Sequence, residues 1–239
     1  MPIFTSRPTQ TSMDLFGKAL EDYDSNDMKS KFLFYKNCLP KEYNEIINYD
    51  LGIYFRSLET LNPLERKLID SSYGNILDVG SSTGYYIPYL MAKGTTIGIE
   101  ISSRINNIAR KNGLHNCITG DIFKYKFNTK FDTITLIGND IALSGTKSKV
   151  KKMLKKFREL LNEKGQVLLI IRHIRTLKYW HVVFTPEYNN RVGIPAKYLF
   201  MNTNYFRKLA LKSGFHSSIL GKHKLTGNPF YLIRLVKSS

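Results

Sequence analysis

The segment from Asp78 to Gly84, with the sequence DVGSSTG, is the strongest chemical signal in this chain. It leaves a predicted strand and opens a predicted helix, which is the context that a nucleotide-binding loop requires. Gly80 permits a tight turn and lets a ligand approach the backbone, and Gly84 allows close packing where the helix begins. Exposed amides at this point favour a ligand carboxylate or phosphate. Two glycines between a strand and a helix are common, so the loop alone does not identify the ligand.

Two acidic residues follow the next two predicted strands, at positions where an adenosine-containing ligand would meet them. Glu100 lies at the end of the second predicted strand, 16 residues after Gly84. An acid there can accept hydrogen bonds from ribose hydroxyls. Asp121 follows the third predicted strand and could accept from an adenine amino group, with Ile101 and Ile122 on either side of the ring. For an isolated Gly-Asp pair, a turn aspartate is the alternative interpretation.

The fourth predicted strand ends in a short turn that contains Gly138 and Asn139. Gly138 leaves the backbone bare, and Asn139 offers both donor and acceptor groups. Open α/β sheets bind ligands at the carboxyl ends of their strands. Both residues are therefore candidates for ligand contacts, and a plain turn is the alternative.

No pattern identifies a catalytic group, although His173 and His181 are candidates for a base or an orienting residue. Both lie near the carboxyl end of the fifth predicted strand and in the loop that follows it. A structural or surface histidine is the competing interpretation. Cys38 and Cys117 are far apart and show no metal-ligand spacing with the histidines. We therefore expect reduced thiols and no metal site.

The alternation of strands and helices after Gly74 predicts an α/β fold that is Rossmann-like, with a mostly parallel sheet. Seven strands are expected, including an antiparallel edge strand, because no helix separates the last two. The predicted strands are 75–79, 95–101, 116–119, 131–137, 166–172, 217–222 and 230–236, and the predicted helices between them are 85–92, 103–111, 146–161 and 203–212.

Residues 1–60 are predicted to form a helical N-terminal extension or cap, and residues 61–239 the α/β domain. Within the extension, residues 1–12 are interpreted as a loose tail, 13–23 as a helix and about 31–58 as an aromatic-rich helical region. A further helix should run from Pro63 to about Asp70. The segment from Tyr179 to Phe200 is long for a connector, so it is either a lid over the site or ordinary core.

These four signals, in this order, resemble those of the class I S-adenosylmethionine-dependent methyltransferases, in particular their small-molecule, type 11-like members. The resemblance covers roughly residues 13–239, and it implies S-adenosyl-L-methionine as the cofactor and residues 61–239 as the methyltransferase domain. Where the family's loop most often has glycine, this chain has Ser82, whose side chain must point away from the ligand. Some small-molecule relatives place a carboxylate-binding arginine at the distance of Arg56, for which a surface arginine is the alternative. The cofactor-binding residues so implied are Arg56, Asp78, Gly80, Ser81, Ser82, Gly84, Glu100, Ile101, Asp121, Ile122, Gly138 and Asn139.

The activity that the resemblance implies is methyl transfer to a nitrogen or oxygen atom of a small molecule. The formal net charge of +17 leaves an RNA-directed methyltransferase as an alternative, but a coding bias toward Lys, Ile, Asn and Tyr explains the charge better. A noncatalytic adenosyl-binding protein is a further alternative. An NAD-dependent dehydrogenase is disfavoured, since the loop lacks a complete G-x-G-x-x-G.

The remaining expectations concern the surroundings of the protein. No apolar run approaches the roughly 18 residues of a membrane-spanning helix, so no span is predicted. Residues 1–12 lack the apolar stretch of a signal peptide, which predicts a cytoplasmic protein. Nothing in the sequence indicates an oligomeric state.

Overall fold

The structure is a computed structural model that describes residues 13–175, 177–224 and 227–238. The tail predicted for residues 1–12 lies outside these ranges. In chain order, the helices and strands are α1 (Asp14–Asp24), β1 (Leu33–Cys38), β2 (Glu45–Asn48), α2 (Pro63–Asp70), β3 (Ile76–Val79), α3 (Ile87–Met91), β4 (Thr96–Glu100), α4 (Ser103–Lys111), β5 (Cys117–Thr119), β6 (Phe131–Leu136), α5 (Lys147–Leu160), β7 (Leu161–Arg172), β8 (Tyr179–Tyr188), β9 (Arg191–Val192), β10 (Ala196–Met201), α6 (Thr203–Lys212), β11 (Phe215–His223) and β12 (Phe230–Lys237). Short 3-10 turns lie at Lys41–Tyr43, Leu51–Tyr54, Leu58–Thr60 and Asp140–Ser144.

Seven strands form the larger sheet, in the order β11-β12-β7-β6-β3-β4-β5. The neighbours from β7 to β5 are all parallel, which confirms the predicted Rossmann-like, mostly parallel sheet. Because these five strands run the same way, their carboxyl ends meet at one edge of the sheet. The residues selected from the sequence follow those ends, as ligand-binding residues do in open α/β sheets.

The last two strands pair antiparallel with each other, and β12 also pairs antiparallel with β7. The predicted antiparallel edge is therefore confirmed in part: β11 forms the edge, and β12 lies one strand in from it. Burial explains the order. Leu232, Ile233 and Leu235 of β12 are fully buried, so this strand needs cover on both faces. Most residues of β11 keep some exposure, and that strand can form the edge.

Local signals explain where the covering helices begin. Ser102 caps α4 by accepting a hydrogen bond from the Ile105 N–H at 3.3 Å. Thr146 caps α5 in the same way, from the Lys149 N–H at 3.2 Å. Side-chain caps of this kind satisfy amides that have no partner within the helix. Along α5 the apolar residues recur on one face, and the buried ones are Val150, Met153, Leu154, Phe157 and Leu160. The lysines of this helix therefore lie mainly on the outer face.

A second, smaller sheet has the order β10-β8-β1-β2, with β9 paired to β8, and all its neighbours are antiparallel. Its strands β1 and β2 come from the region 31–58 that was predicted to be helical, so that prediction is wrong. Leu33 of β1 lies opposite Glu187 of β8, much later in the chain. Strand formation depends on such distant neighbours more than on local preference, and no local period reveals them.

The smaller sheet also decides the nature of the long segment from Tyr179 to Phe200. This segment forms β8, β9 and most of β10 rather than an irregular lid. The sheet thus takes strands from both sides of residue 60, and a cap confined to residues 1–60 omits β8 and β10. The helix that was predicted for residues 13–23 is confirmed as α1. Separately, no helix within the described ranges is long and apolar enough to cross a membrane.

Candidate functional site

The loop after β3 has the left-handed backbone that its glycines permit. Gly80, Ser82 and Gly84 have φ angles of +78°, +52° and +81°, a region that costs little only for glycine. The Gly80 N–H donates to the Ile99 carbonyl at 2.9 Å, which fastens the loop to β4. A Cβ on Gly84 would stand 3.0 Å from the Ala109 Cβ. This contact confirms the close packing that was predicted for Gly84.

The loop leaves bare backbone open at the carboxyl edge. Gly80 and Gly138, which follow neighbouring strands, are both exposed. Ser81 is 1% exposed. The Ser82 Oγ is buried and has no hydrogen-bond partner among the described residues.

Two buried carboxylates lie beside the loop. Asp78 is 2% exposed, and its Oδ1 accepts from the Thr135 hydroxyl at 2.6 Å. Burial raises the pKa of Asp78 to about 7. Glu100 is also buried, and its two oxygens accept from the Ser102 N–H at 2.8 Å and from the Ser82 N–H at 3.2 Å. Burial also raises the pKa of Glu100. Through its two hydrogen bonds this acid holds the loop, and it follows the strand at which the sequence predicted a ribose-binding group.

A third carboxylate, Asp140, lies at the same place and was not selected from the sequence. Its Oδ2 stands 3.1 Å from the position that a Cβ on Gly80 would take, and its Oδ1 stands 3.6 Å from the equivalent position on Gly138. Burial, followed by the charges of Asp78 and Glu100, raises the pKa of Asp140 well above its ordinary value. Within the described ranges, no basic side chain forms an ion pair with these three acids. The only available signal for Asp140 was its position after the fourth strand.

Asn139 holds the turn that carries Asp140. Its backbone is left-handed, with φ +73°, and its Oδ1 accepts from the Arg172 N–H at 3.0 Å. The side chain thus links the end of β6 to the end of β7. The side-chain oxygen of Asn139 is thus used in a hydrogen bond within the protein, whereas the sequence suggested a side-chain amide that was free to bind a ligand.

The predicted adenine-binding residues follow β4 and β5. The Asp121 Oδ1 accepts from the Phe123 N–H at 3.0 Å, the geometry of the turn aspartate that was the alternative interpretation. Ile122 is 7% exposed and packs in the main core, whereas Ile101 is half-buried. Of the two isoleucines, Ile101 is the more available to a ligand ring.

Arg56 lies on the chain between β2 and α2, and its hydrogen bonds are made within the protein. Its Nη2 donates to the Glu65 Oε1 at 2.8 Å and to the Tyr86 hydroxyl at 3.0 Å. Its Nε donates to the Ile53 carbonyl at 2.9 Å. Since Glu65 is buried, this pair is structural, and the structure does not present Arg56 as an unpaired surface arginine.

The two candidate histidines do not join the carboxylates. The His173 Nδ1 lies 2.9 Å from the Thr203 Oγ1 and accepts from the Thr203 N–H at 3.3 Å, so it binds the start of α6. His181 lies on β8, where burial and then two neighbouring lysines lower its pKa. In the described part of the chain, neither histidine hydrogen-bonds to Asp140 or Glu100, and no group of three His, Cys, Asp or Glu side chains could hold a metal ion.

Aromatic rings of the smaller sheet and of the chain after β2 lie near the turn that carries Asp140, since β10 packs on the turn Asp140–Ser144 and the Tyr54 carbonyl accepts from the Thr83 hydroxyl. We call Phe34, Tyr49, Tyr54, Phe184 and Tyr198 the aromatic wall. The ring centroids of Tyr54 and Tyr49 are 6.3 Å apart, and those of Tyr49 and Phe34 are 5.0 Å apart. The distance is 5.6 Å between the centroids of Phe34 and Phe184 and 4.8 Å between those of Phe184 and Tyr198. The Tyr49 and Tyr54 hydroxyls are hydrogen-bonded at 3.0 Å. Burial raises the pKa of the three tyrosines, and the nearby charge of Asp140 raises each of them further.

A cavity of about 680 Å³ opens between the end of α1 and the chain next to β1 and β2, and Tyr49 of the aromatic wall is one of the residues that line it. Tyr23, Phe32 and Leu51 are among the residues that line it. None of the residues selected from the sequence lines this cavity. The candidate site is therefore placed by the strand ends and the aromatic wall.

Comparison with known proteins is consistent with this architecture. Residues 76–165 match a family model described as "Methyltransferase domain". The crystal structure of a SAM-dependent methyltransferase from Bacteroides fragilis, in complex with S-adenosyl-L-homocysteine, is 20% identical with a TM-score of 0.82, covering 96% of this chain and 97% of that chain. The DhpI–SAH complex is 12% identical with a TM-score of 0.66, covering 95% and 96%.

A third solved structure is the sugar N-methyltransferase KedS8 from Streptoalloteichus sp. It is 12% identical with a TM-score of 0.57, covering 82% of this chain and 96% of that chain. At such identities, the likeness to these structures establishes the shared fold. A search of curated protein sequences finds no significant match.

Proposed function

We propose that this chain, in which residues 76–165 match a methyltransferase domain model, is a class I, S-adenosylmethionine-dependent methyltransferase that transfers a methyl group to a nitrogen or oxygen atom of a small molecule. The observation that carries the proposal is a single place where three features meet. Exposed Gly80 and Gly138 leave the backbone bare, three carboxylates lie close by, and the ends of the aromatic wall reach the turn that carries Asp140.

The residues present fit S-adenosylmethionine as the cofactor. A Cβ on Gly80 would fill space next to Asp140, so the glycine leaves room for a ligand there. The sulfonium and ammonium groups of this cofactor are cations, which suits a place with three acids and no basic partner, whereas a dinucleotide's diphosphate would be repelled. When bound, the cofactor supplies an electrophilic methyl group on its sulfonium sulfur.

We propose roles for the residues around this cofactor. Each Glu100 oxygen has a further lone pair beyond the one used by the backbone, so the acid can still accept from ribose hydroxyls. The loop amides near Gly80 would hold the methionine end, and Ile101 and Asp121 would lie at the adenine. Ser81, Ser82, Gly84, Ile122 and Asn139 would support the site through the backbone and packing.

A small acceptor is supported by the smaller sheet, whose aromatic wall stands opposite the carboxyl edge. Methyl transfer to such an acceptor depends mainly on holding it in line with the methyl carbon and excluding water. The fold relative KedS8 is a sugar N-methyltransferase, which is a small-acceptor activity on the same architecture.

The proposal is tested first by calorimetric binding. S-adenosylmethionine or S-adenosylhomocysteine should bind in the micromolar range, about −8 kcal/mol, and clearly more tightly than NAD. A panel of small amines, alcohols and acids is then screened for acceptor-dependent release of S-adenosylhomocysteine. Tighter binding of NAD would contradict the cofactor, and cofactor binding without transfer to any acceptor would favour a noncatalytic adenosyl-binding protein.

A further inference from the structure

Asp140 and the aromatic wall meet at a place that the cofactor proposal does not account for. Tyr54 and Tyr198 are the two ends of the wall. The Tyr54 carbonyl accepts from the Thr83 hydroxyl in the loop after β3, and β10, which carries Tyr198, packs on the turn Asp140–Ser144. Both ends of the wall therefore reach the place where Asp140 stands beside Gly80.

The polar groups at this place are reachable from solvent although protein surrounds them closely. Asp140, Tyr49, Tyr54 and Tyr198 are each only half-buried, yet the surrounding protein raises the pKa of all four. Within the described part of the chain, the Asp140 carboxylate has no hydrogen-bond or ion-pair partner. A carboxylate in such a place is well suited to bind a ligand that carries hydrogen-bond donors or positive charge.

We infer that the acceptor is an amine, held between the Asp140 carboxylate and the hydroxyls and ring faces of the aromatic wall. The inference rests on the proposed methyl transfer and names the substrate class of that same site. Asp140 would accept one N–H of the amine, and the tyrosine hydroxyls would accept others. Aromatic faces attract cationic nitrogen by about 0.5–2 kcal/mol each, which favours the same occupant.

The chemistry of the transfer agrees with an amine. An amine that binds as a cation first gives one proton to the Asp140 carboxylate, which leaves a neutral nitrogen with a nucleophilic lone pair. This nitrogen forms a bond to the methyl carbon while the carbon–sulfur bond breaks, and that bonding pair leaves with sulfur as a neutral thioether. The product is a methylated ammonium, and Asp140 then releases its proton to solvent.

An oxygen acceptor is disfavoured by the same groups. A neutral hydroxyl is a weak nucleophile, so negative charge must develop on its oxygen as the proton leaves. That charge would form beside Asp140, with Asp78 and Glu100 close enough to act on it. Without a basic partner for these acids, the charges would repel, and a carboxylate or phosphonate acceptor would meet the same repulsion.

The test compares three probes with one carbon skeleton, namely cyclohexylamine, cyclohexanol and cyclohexanecarboxylate. Their binding is measured calorimetrically on the full chain saturated with S-adenosylhomocysteine. The amine should bind at least about tenfold more tightly than either other probe. Asp140→Asn, which keeps the shape, should abolish this preference, and it is measured at saturating S-adenosylhomocysteine so that a change in cofactor affinity does not affect the comparison. Tyr198→Phe should weaken amine binding a few-fold, by loss of one hydroxyl.

Asp70→Asn is the matched control, because Asp70 is an exposed acid of α2 that pairs with Lys93. It should leave the affinities of all three probes unchanged. The inference is overturned if the amine shows no preference, whether all probes bind equally or none binds. It is also overturned if Asp140→Asn loses S-adenosylhomocysteine affinity and keeps the amine preference, since Asp140 would then belong to the cofactor. Neither of these outcomes contradicts the proposed methyl transfer. If the unmodified chain does not bind S-adenosylhomocysteine, the amine inference and the methyltransferase proposal are both wrong.

Discussion

The two sheets contribute to the candidate site in opposite ways. At the carboxyl edge of the seven-stranded sheet, Asp78 and Glu100 are placed by the ends of adjacent strands, and backbone amides and a buried hydroxyl hold them. The aromatic wall has no such local origin. Phe34, Phe184 and Tyr198 come from three separate strands that only antiparallel pairing brings together.

This difference separates two kinds of specificity. The carboxyl edge depends on main-chain geometry, and few substitutions keep it intact, as suits a site for an unchanging cofactor. The aromatic wall depends on side chains that can be exchanged while the strands remain, as suits a site for one particular acceptor. Changes at the edge should therefore alter cofactor binding, and changes in the wall should alter the acceptor alone.

The largest effect at the carboxyl edge is expected from Glu100→Gln. Glutamine keeps the shape but has a single carbonyl oxygen, so the ribose loses a charged acceptor, and the amide of Ser82 or Ser102 faces a donor. Cofactor affinity should fall by about 1.5–3 kcal/mol in calorimetry, and the melting temperature should fall as well. The control is Glu163→Gln, because that side chain is 92% exposed. Unchanged affinity would show that Glu100 serves the loop alone.

Gly80→Ala should have the next largest effect, of about tenfold or 1.4 kcal/mol in cofactor affinity. The new methyl group would point at the Asp140 carboxylate, 3.1 Å away. Gly113→Ala is a matched control, because Gly113 has a φ of +81° and nothing lies within 4 Å of its Cβ position. Both variants should lose roughly 1–2 kcal/mol of stability from the left-handed backbone. Equal cofactor affinities in the two variants would show that Gly80 contributes only its conformation.

Asp78 makes the stability of the cofactor-free protein depend on pH. Its pKa in the folded state is about 7, above the ordinary 3.8, so folding favours the protonated form. The stability that this proton contributes is fully present below pH 3.8 and is lost as pH rises through about 7. Asp78→Asn should remove this loss, measured as a difference of a few degrees in melting temperature between pH 5 and pH 8. Asp70→Asn should keep the wild-type pH profile, and a profile unchanged in Asp78→Asn would contradict the burial argument.

The smallest effect on methyl transfer is expected from changes to the basic face of α5, which lies outside the carboxyl edge and the aromatic wall. Lys147 lies 4.3 Å from the Tyr179 ring centroid and Lys152 lies 5.3 Å from that of Phe123, so those rings are covered rather than available to stack on bases. RNA retention on filters at physiological salt should be weak, and should vanish steeply as salt rises. Lys151→Glu combined with Lys155→Glu should leave methyl transfer unchanged. Tight, sequence-selective retention would add a third functional region and favour the RNA-directed alternative.

Several elements could be predicted because their signals lie within a few residues. The helix α4 begins after its cap Ser102, carries Ile105 and Ile108 inward, and ends before Gly113. The loop from Gly80 to Gly84 is similarly local, since its turn depends on positive φ angles that glycine allows. These signals survive folding, because caps, glycine turns and one-sided helices satisfy the backbone wherever the element packs.

Other features required the folded chain. The region around Leu33 contains apolar and aromatic residues whose spacing does not distinguish a helix from a strand, and its pairing with β8 decided the outcome. Asp140 was one polar residue of a turn until folding placed its carboxylate beside Gly80 and the tyrosines. The sequence by itself therefore determined the strand-and-helix order of the larger sheet and the glycine-containing loop after β3, through interactions between near neighbours. The tertiary structure alone decided what faces that loop, because burial and charge at a site depend on groups that meet only after the chain has folded.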